Sequence, residues 1–322
     1  MRTTSLVLAV LGAGLLAVVP ACGADDDAAD DDDDVTDGDG GAGADADPNA
    51  PDGGGTPGEF ATLITGDWSI PPGETYRCVY KTIETTVYAN AFRPIIPQGT
   101  HHTVLTMGDP TRADGITTCN AGTNYDVNVF GSGVGTNALD LPDGIGVKLP
   151  AGQQLLLNLH LYNLTDGNLA GTSGTEFIAI AQADVDQEAE AIMFSKFNLI
   201  IGTGISTKTG SCNFTGEGDI LSVGPHMHQL GTHMKVVAHS STDGNITIHD
   251  GDYSFDEQVS KLLSPKVHMM QGDALEVFCT YNNTTGGTVY FGDSSEAEMC
   301  IAGIYRAPAL YDGIFCMVEG PL

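Results

Sequence analysis

Short runs of alternating apolar and polar residues, punctuated by Gly, Pro, Asn and Asp, fill the chain from about residue 62 onward. A period of two sends every second side chain to one face of a strand. The pattern predicts strands over 75–87, 100–107, 125–130, 146–149 and 154–163, with a turn at Pro150, Ala151 and Gly152. After a break near 184–190 a second set follows, over 192–201, 220–226, 233–240, 245–249, 274–282 and 288–291. No segment sustains a helical period. The expected fold class is all-β, with two tandem antiparallel β-sandwiches over 60–186 and 187–322.

The most informative strand is 154–163. Leu155, Leu157, Leu159 and Leu161 form one unbroken leucine face, suited to a sandwich core, while Asn158, His160 and Tyr162 share the other. A histidine opposite an all-leucine face is not a core histidine. It is expected to face water, a cleft or the other sandwich.

The first 59 residues have a different character. Arg2 precedes an apolar run over 6–19 that is too short for a spanning helix and reads as an export signal. Val19-Pro20-Ala21-Cys22 resembles a bacterial lipoprotein processing site, so 1–22 is expected to be a signal peptide ending in a lipidated Cys22; simple secretion with cleavage nearby is the alternative. Residues 23–59 hold thirteen Asp, one Glu and no Lys or Arg. With almost nothing apolar to bury, they predict a disordered, self-repelling tether.

Charge and cysteines narrow the setting. The formal charge is −30, and residues 60–322 alone carry 11 basic against 28 acidic groups, a net of −17. Such a chain is a poor partner for nucleic acid or an anionic membrane surface, leaving a lipid anchor as its membrane contact. Setting Cys22 aside leaves six of the seven cysteines, an even set suited to an oxidising, extracytoplasmic compartment.

Candidate chemistry lies in the histidines. His226 and His228 are two apart on an expected strand, so they point the same way while Met227 points away; two such imidazoles can share a metal ion. His101 and His102 are adjacent and can serve one site only where the backbone is kinked. Met299 lies directly before Cys300, and a thioether beside two imidazoles favours Cu(I). His233, His239, His249 and His268 read as surface or strand-end histidines, and Met193, Met234 and Met317 as core filler.

In order, the chain carries His101-His102, Leu157-Asn158-Leu159-His160-Leu161-Tyr162-Asn163, His226-Met227-His228 and Glu298-Met299-Cys300. This series resembles the copper type II, ascorbate-dependent monooxygenases, the family of the peptidylglycine α-hydroxylating and dopamine β-monooxygenases. The resemblance runs from about Glu74 to the C-terminus. It implies two jelly-roll-like sandwiches facing each other across an open, solvent-filled cleft that contains two mononuclear coppers. His101, His102 and His160 would hold an electron-storing copper, and His226, His228 and Met299 the catalytic, oxygen-binding one. It also implies disulfides Cys78–Cys119, Cys212–Cys316 and Cys279–Cys300.

The partners implied are dioxygen, a one-electron donor such as ascorbate and a small-molecule or peptide substrate, acted on by a monomer. The reaction implied is hydroxylation of an activated C–H bond. A lipoprotein that binds copper without turnover is the alternative. The resemblance breaks where substrate would be read. The peptide-amidating enzymes hold their substrate's carboxylate with an Arg and a Tyr at the positions of Gly224 and Gly303.

Overall fold

The computed structural model describes residues 58–311 and, for the backbone, 315–317. The expected signal peptide, Cys22 and nearly all of the tether lie outside the described residues, as does the side chain of Cys316, the expected partner of Cys212.

Twenty-one strands and one 3-10 turn (Gln182–Asp184) make up the secondary structure of the described residues. In the first half these are β1 (Ala61–Ile70), β2 (Gly73–Thr82), β3 (Val87–Ile95), β4 (Thr100–Gly108), β5 (Gly115–Thr118), β6 (Val127–Gly133), β7 (Leu139–Asp140), β8 (Ile145–Leu149), β9 (Gln154–Asn163) and β10 (Leu169–Ile180). The second half holds β11 (Gln187–Ser195), β12 (Ile200–Ile201), β13 (Gly204–Asn213), β14 (Gly218–Met227), β15 (Gly231–Ser240), β16 (Gly244–Asp252), β17 (Lys261–Met269), β18 (Ala274–Asn283), β19 (Val289–Tyr290), β20 (Cys300–Ala307) and β21 (Phe315–Met317).

The all-β reading agrees with this, and several boundaries differ from it. Of the run 75–87 only 75–82 and Val87, where β3 starts, are strand, because the chain turns at 83–86, and 192–201 is interrupted between Ser195 and Ile200. β1, β3, β5, β7, β10, β13, β17, β20 and β21 are not among the predicted strands. In β13 and β10 the cause is Gly, Ser and Thr standing where apolar residues would mark a period.

A five-stranded sheet, in the order β5-β2-β9-β4-β6, packs on the β1-β10-β3-β8 part of a longer sheet. That longer sheet continues through β11-β20-β14-β17, which packs on the four-stranded sheet β13-β18-β15-β16. The leucine face of β9 is fully buried in the first core with Ile64, Phe92 and Phe177. Met227, Met234, Val236, Val277 and Tyr281 fill the second. β11 starts at Gln187, where Gln187–Ala189 pair in parallel with Ile145–Val147 of β8. Backbone hydrogen bonding therefore runs from one sandwich into the other, which limits how far the halves can rotate independently.

The outer faces of the two sandwiches meet. Register partners in antiparallel strands share a face. The pairs His102–His160, Val104–Asn158, His102–Gly133 and Val104–Gly131 thus put these residues on the face of the five-stranded sheet opposite the leucines. On the longer sheet, Gly224–Gly303, His226–Ile301 and Met193–Gly303 share the face turned toward them. Between the two faces lies a cavity of about 460 Å³.

Candidate metal centre

The adjacent pair His101 and His102 meets the condition set by the sequence. The β4–β9 register shifts between Thr100 and His102, a bulge that lets both neighbours serve the same side. His101 Nδ1 then lies 3.0 Å from His160 Nδ1, which lies 3.2 Å from His102 Nδ1. One nitrogen lone pair accepts one good hydrogen bond, so three converging Nδ1 atoms cannot all be satisfied by protons. Their spacing does suit neighbouring ligands on metal–nitrogen bonds of about 2.0 Å.

His160 is fully buried, so of the three environments open to it water is ruled out, and its ring is enclosed by Tyr76, His101 and His102. Its Nε2–H donates to Glu74 Oε1 at 2.5 Å, and its ring stacks on Tyr76 at 4.5 Å with an 8° interplanar angle. With the proton on Nε2, Nδ1 is left as the free lone pair. Glu74 also accepts from Tyr76 Oη (3.3 Å) and Ser295 Oγ (3.4 Å), tying β2 to the 293–299 segment that carries Met299.

The second pair is prepared in the same way. Gln258 Nε2 donates to the Phe255 carbonyl, which turns its Oε1 toward His226 Nδ1, 2.7 Å away. The Nδ1–H must be the donor, so His226 Nε2 is a lone pair. His228 Nδ1–H donates to the Ala297 carbonyl at 3.0 Å, and its buried Nε2 has no partner among the described residues. A buried imidazole nitrogen without a proton or a donor is costly unless a cation meets it. The donor set fits a metal ion.

Electrostatics agree. Burial, reinforced by neighbouring histidines, lowers His101 to about 4 and His228 to about 3. Burial also lowers His102, His160 and His226, with Glu74 opposing the shift at His160 and Gln258 opposing it at His226. Taking charge out of water disfavours the imidazolium, so all five are neutral at pH 7, the form that binds metals.

Met299 lines the cavity with His102 and His226. Its backbone is clamped. Its carbonyl accepts from Tyr281 Oη at 2.7 Å, and its neighbour Cys300 is disulfide-bonded to Cys279. The fully buried Glu298 accepts three backbone N–H bonds, from His228 (2.9 Å), Leu230 (2.6 Å) and Met299 (3.2 Å). Burial pushes its carboxyl up to about 7 against the pull of those donors. One carboxylate thus holds the His-Met-His strand end to the methionine segment. In the first half Cys78 is bonded to Cys119 as expected.

The two histidine sets are nearer than the open, solvent-filled cleft implied. The His102 and His226 ring centroids are 6.1 Å apart, and the Phe255 ring lies 4.6 Å from His101 and 5.8 Å from His228. The faces close on each other here, and the cavity opens beside the contact. Asn158, expected near the all-histidine set, donates to the carbonyls of Asn120, Ala121 and Thr123 and so pins the loop after Cys119. His233, His239 and His268 pair with carboxylates outside the cluster, and Met234 is core.

Glu74, Gln258 and Glu298 were not legible as site residues. They stand 86, 32 and 70 positions from the histidines they touch. Glu74→Gln is expected to weaken copper binding at the three-histidine set by about 10- to 100-fold, since it replaces a charged acceptor with a neutral one. Competition against a copper chelator of known affinity measures this, and an unchanged affinity would remove Glu74 from the site.

Residues 203–321 match the family model for the copper type II ascorbate-dependent monooxygenase, C-terminal domain. The matched stretch contains His226, His228 and Met299; His101, His102 and His160 precede it. No curated protein matches the chain. Among solved structures, that of the infectious bursal disease virus Gt strain is 11% identical, covering 86% of this chain and 87% of that one, with a TM-score of 0.11 that supports no argument. Residues 203–321 are thus a copper type II ascorbate-dependent monooxygenase C-terminal domain.

Proposed function

We propose that the protein hydroxylates an activated C–H bond, using dioxygen and a one-electron donor such as ascorbate. One oxygen atom enters the product as an alcohol, the other leaves as water, and the donor supplies two electrons. Two coppers are proposed per chain, one held by His101, His102 and His160 and one by His226, His228 and Met299. Copper would supply dioxygen binding and one-electron steps.

The rest of the chemistry is positional. Glu74, Gln258 and the Ala297 carbonyl each fix a ring tautomer, so that His160, His226 and His228 need neither reorient nor lose a proton before binding metal. Phe255 and the closed contact between His102 and His226 keep water from the space between the sets. The cavity offers a predominantly apolar place for a substrate's C–H bond beside His226 and Met299.

The observation that carries this reading is the cavity, which opens on His102, His226 and Met299 together. A protein that only stored copper would gain nothing from such a chamber, which disfavours the non-catalytic alternative. An extracytoplasmic location, with the chain tethered through Cys22, is part of the proposal; the Cys78–Cys119 and Cys279–Cys300 bonds suit that compartment.

The test is ascorbate-dependent oxygen uptake by copper-loaded protein in the presence of uncharged arylalkyl compounds. An alcohol product labelled from ¹⁸O₂ is the expected result. Ascorbate oxidation with no labelled product under any compound would contradict the proposal.

A further inference from the structure

The cavity is built to read the far end of its ligand. Its lining contains no Lys or Arg, and Asp293 is its one carboxylate. The surfaces nearest the histidines are glycine: Gly131 and Gly133 on β6 face Gly224 and Gly303, which are register partners on β14 and β20. A Cβ at Gly303 would meet only the Gly224 carbonyl oxygen, at 3.7 Å, and one at Gly131 would meet nothing within 4 Å. Gly303 and Gly131 are therefore open volume, whereas a Cβ at Gly224 would meet Ser260 Oγ at 2.7 Å and one at Gly133 the Gln258 side chain at 2.6 Å.

One polar group in the wall is unspent. Asn128 is 6% exposed and lines the cavity, and its Nδ2 has no hydrogen-bond partner among the described residues. Its register partner is Thr106, on the same face as Val104 and His102. Four residues of strand separate Thr106 from His102, about 13 Å at about 3.3 Å per residue. Beside Asn128 the β6 backbone bulges at Val129, whose carbonyl accepts from Tyr305 Oη across the sheets. That bond fixes this end of the chamber.

We infer that the ligand is an uncharged, mostly apolar molecule whose far end carries an acceptor oxygen for Asn128 Nδ2, with its C–H-bearing end at His226 and Met299. A carboxylate would be desolvated against Asp293 with no cation to meet it. An ammonium can pair with Asp293 but leaves Asn128 Nδ2 unpaired, because it brings donors to a donor. A ketone, ester or amide oxygen pairs the orphaned N–H and leaves the remainder against apolar wall. The assignment of which end reacts rests on the hydroxylase reading, whereas the ligand's chemical class rests on the cavity alone.

The test needs no turnover. Oxidised, copper-loaded protein without reductant is titrated calorimetrically with three compounds of one skeleton: 4-phenyl-2-butanone, 3-phenylpropanoate and 3-phenylpropylammonium. The ketone is expected to bind at least about tenfold tighter than either ion. Asn128→Leu is expected to reduce ketone affinity about tenfold. Gly131→Leu fills the floor and is expected to abolish ketone binding without changing copper content. Tighter binding of either ion, or ketone binding indifferent to Asn128→Leu or Gly131→Leu, would overturn the inference. The comparison in the unmodified protein stands even if a variant does not fold. Ketone preference without oxygen-labelled product would refute the hydroxylase reading and leave the ligand class in place.

Discussion

Met299→Ile is expected to lower ascorbate-dependent oxygen uptake by more than about 100-fold while one copper per chain is retained. Isoleucine keeps an apolar side chain and removes the thioether alone. The segment around it stays clamped by Glu298, by Tyr281 Oη and by the Cys279–Cys300 bond, so the change is chemical and local. Changes to groups that only orient a metal ligand cost about 10- to 100-fold, so losing a ligand should cost more. The copper proposed at the three histidines of the other face should be unaffected, because Glu74 sets the free nitrogen of His160 and the bulge at His101 brings its neighbours to it. An oxygen electrode and elemental analysis of the same samples check both halves. Uptake equal to that of the unmodified protein would exclude Met299 from the site.

The second large effect is on stability. Glu190→Ala is expected to destabilise the fold by about 3–5 kcal/mol, because it leaves a fully buried guanidinium without its counter-ion. Arg306 is 0% and Glu190 4% exposed, with Nε and Nη2 both 2.7 Å from Glu190 Oε1. They are register partners on β11 and β20, the strands that carry Met193, Ile301 and Gly303 to the cavity. Arg306 also donates to the Thr215 carbonyl at 2.7 Å, and its guanidinium lies 5.3 Å from the Phe214 ring. Glu190 accepts further from the backbone of Leu310 and Tyr311. The exposed Arg93–Glu176 pair is the control, and Glu176→Ala there should cost no more than about 1 kcal/mol. Urea denaturation of both variants checks the contrast. Equal midpoints would show that the buried pair contributes nothing specific.

How much of this was legible in the sequence depended on whether the cause was local. The facing of His160 followed from period two in β9, because four leucines on alternate positions left one choice for the core. The kink needed at His101 and His102 could be stated as a condition, and a bulge meets it. The disulfides Cys78–Cys119 and Cys279–Cys300 came from the resemblance rather than from any pattern in the spacing. What could not be read was set by tertiary neighbours. Glu74 reads as an ordinary acidic residue near a strand start until β2 pairs with β9 and brings it to His160. Glu298 belongs to a short motif, yet its three backbone donors come from its own N–H neighbour and from a loop seventy residues earlier.

The nearness of His102 and His226 was equally hidden, because it depends on the parallel β8–β11 pairing that joins the long sheet. β10 and β13 were missed for a different reason. Their Gly, Ser and Thr positions weaken the alternation, and strand partners, β1 and β3 beside β10 and β18 beside β13, supply the order that propensity does not.

Five imidazoles, of which His160 and His228 are fully buried, and one thioether are proposed to form two copper sites. Bound copper per chain, measured by elemental analysis after anaerobic loading with Cu(I) and removal of free metal, tests this proposal most directly. Two coppers are expected in the unmodified protein and one after His160→Ala. A value of zero or one in the unmodified protein would contradict it.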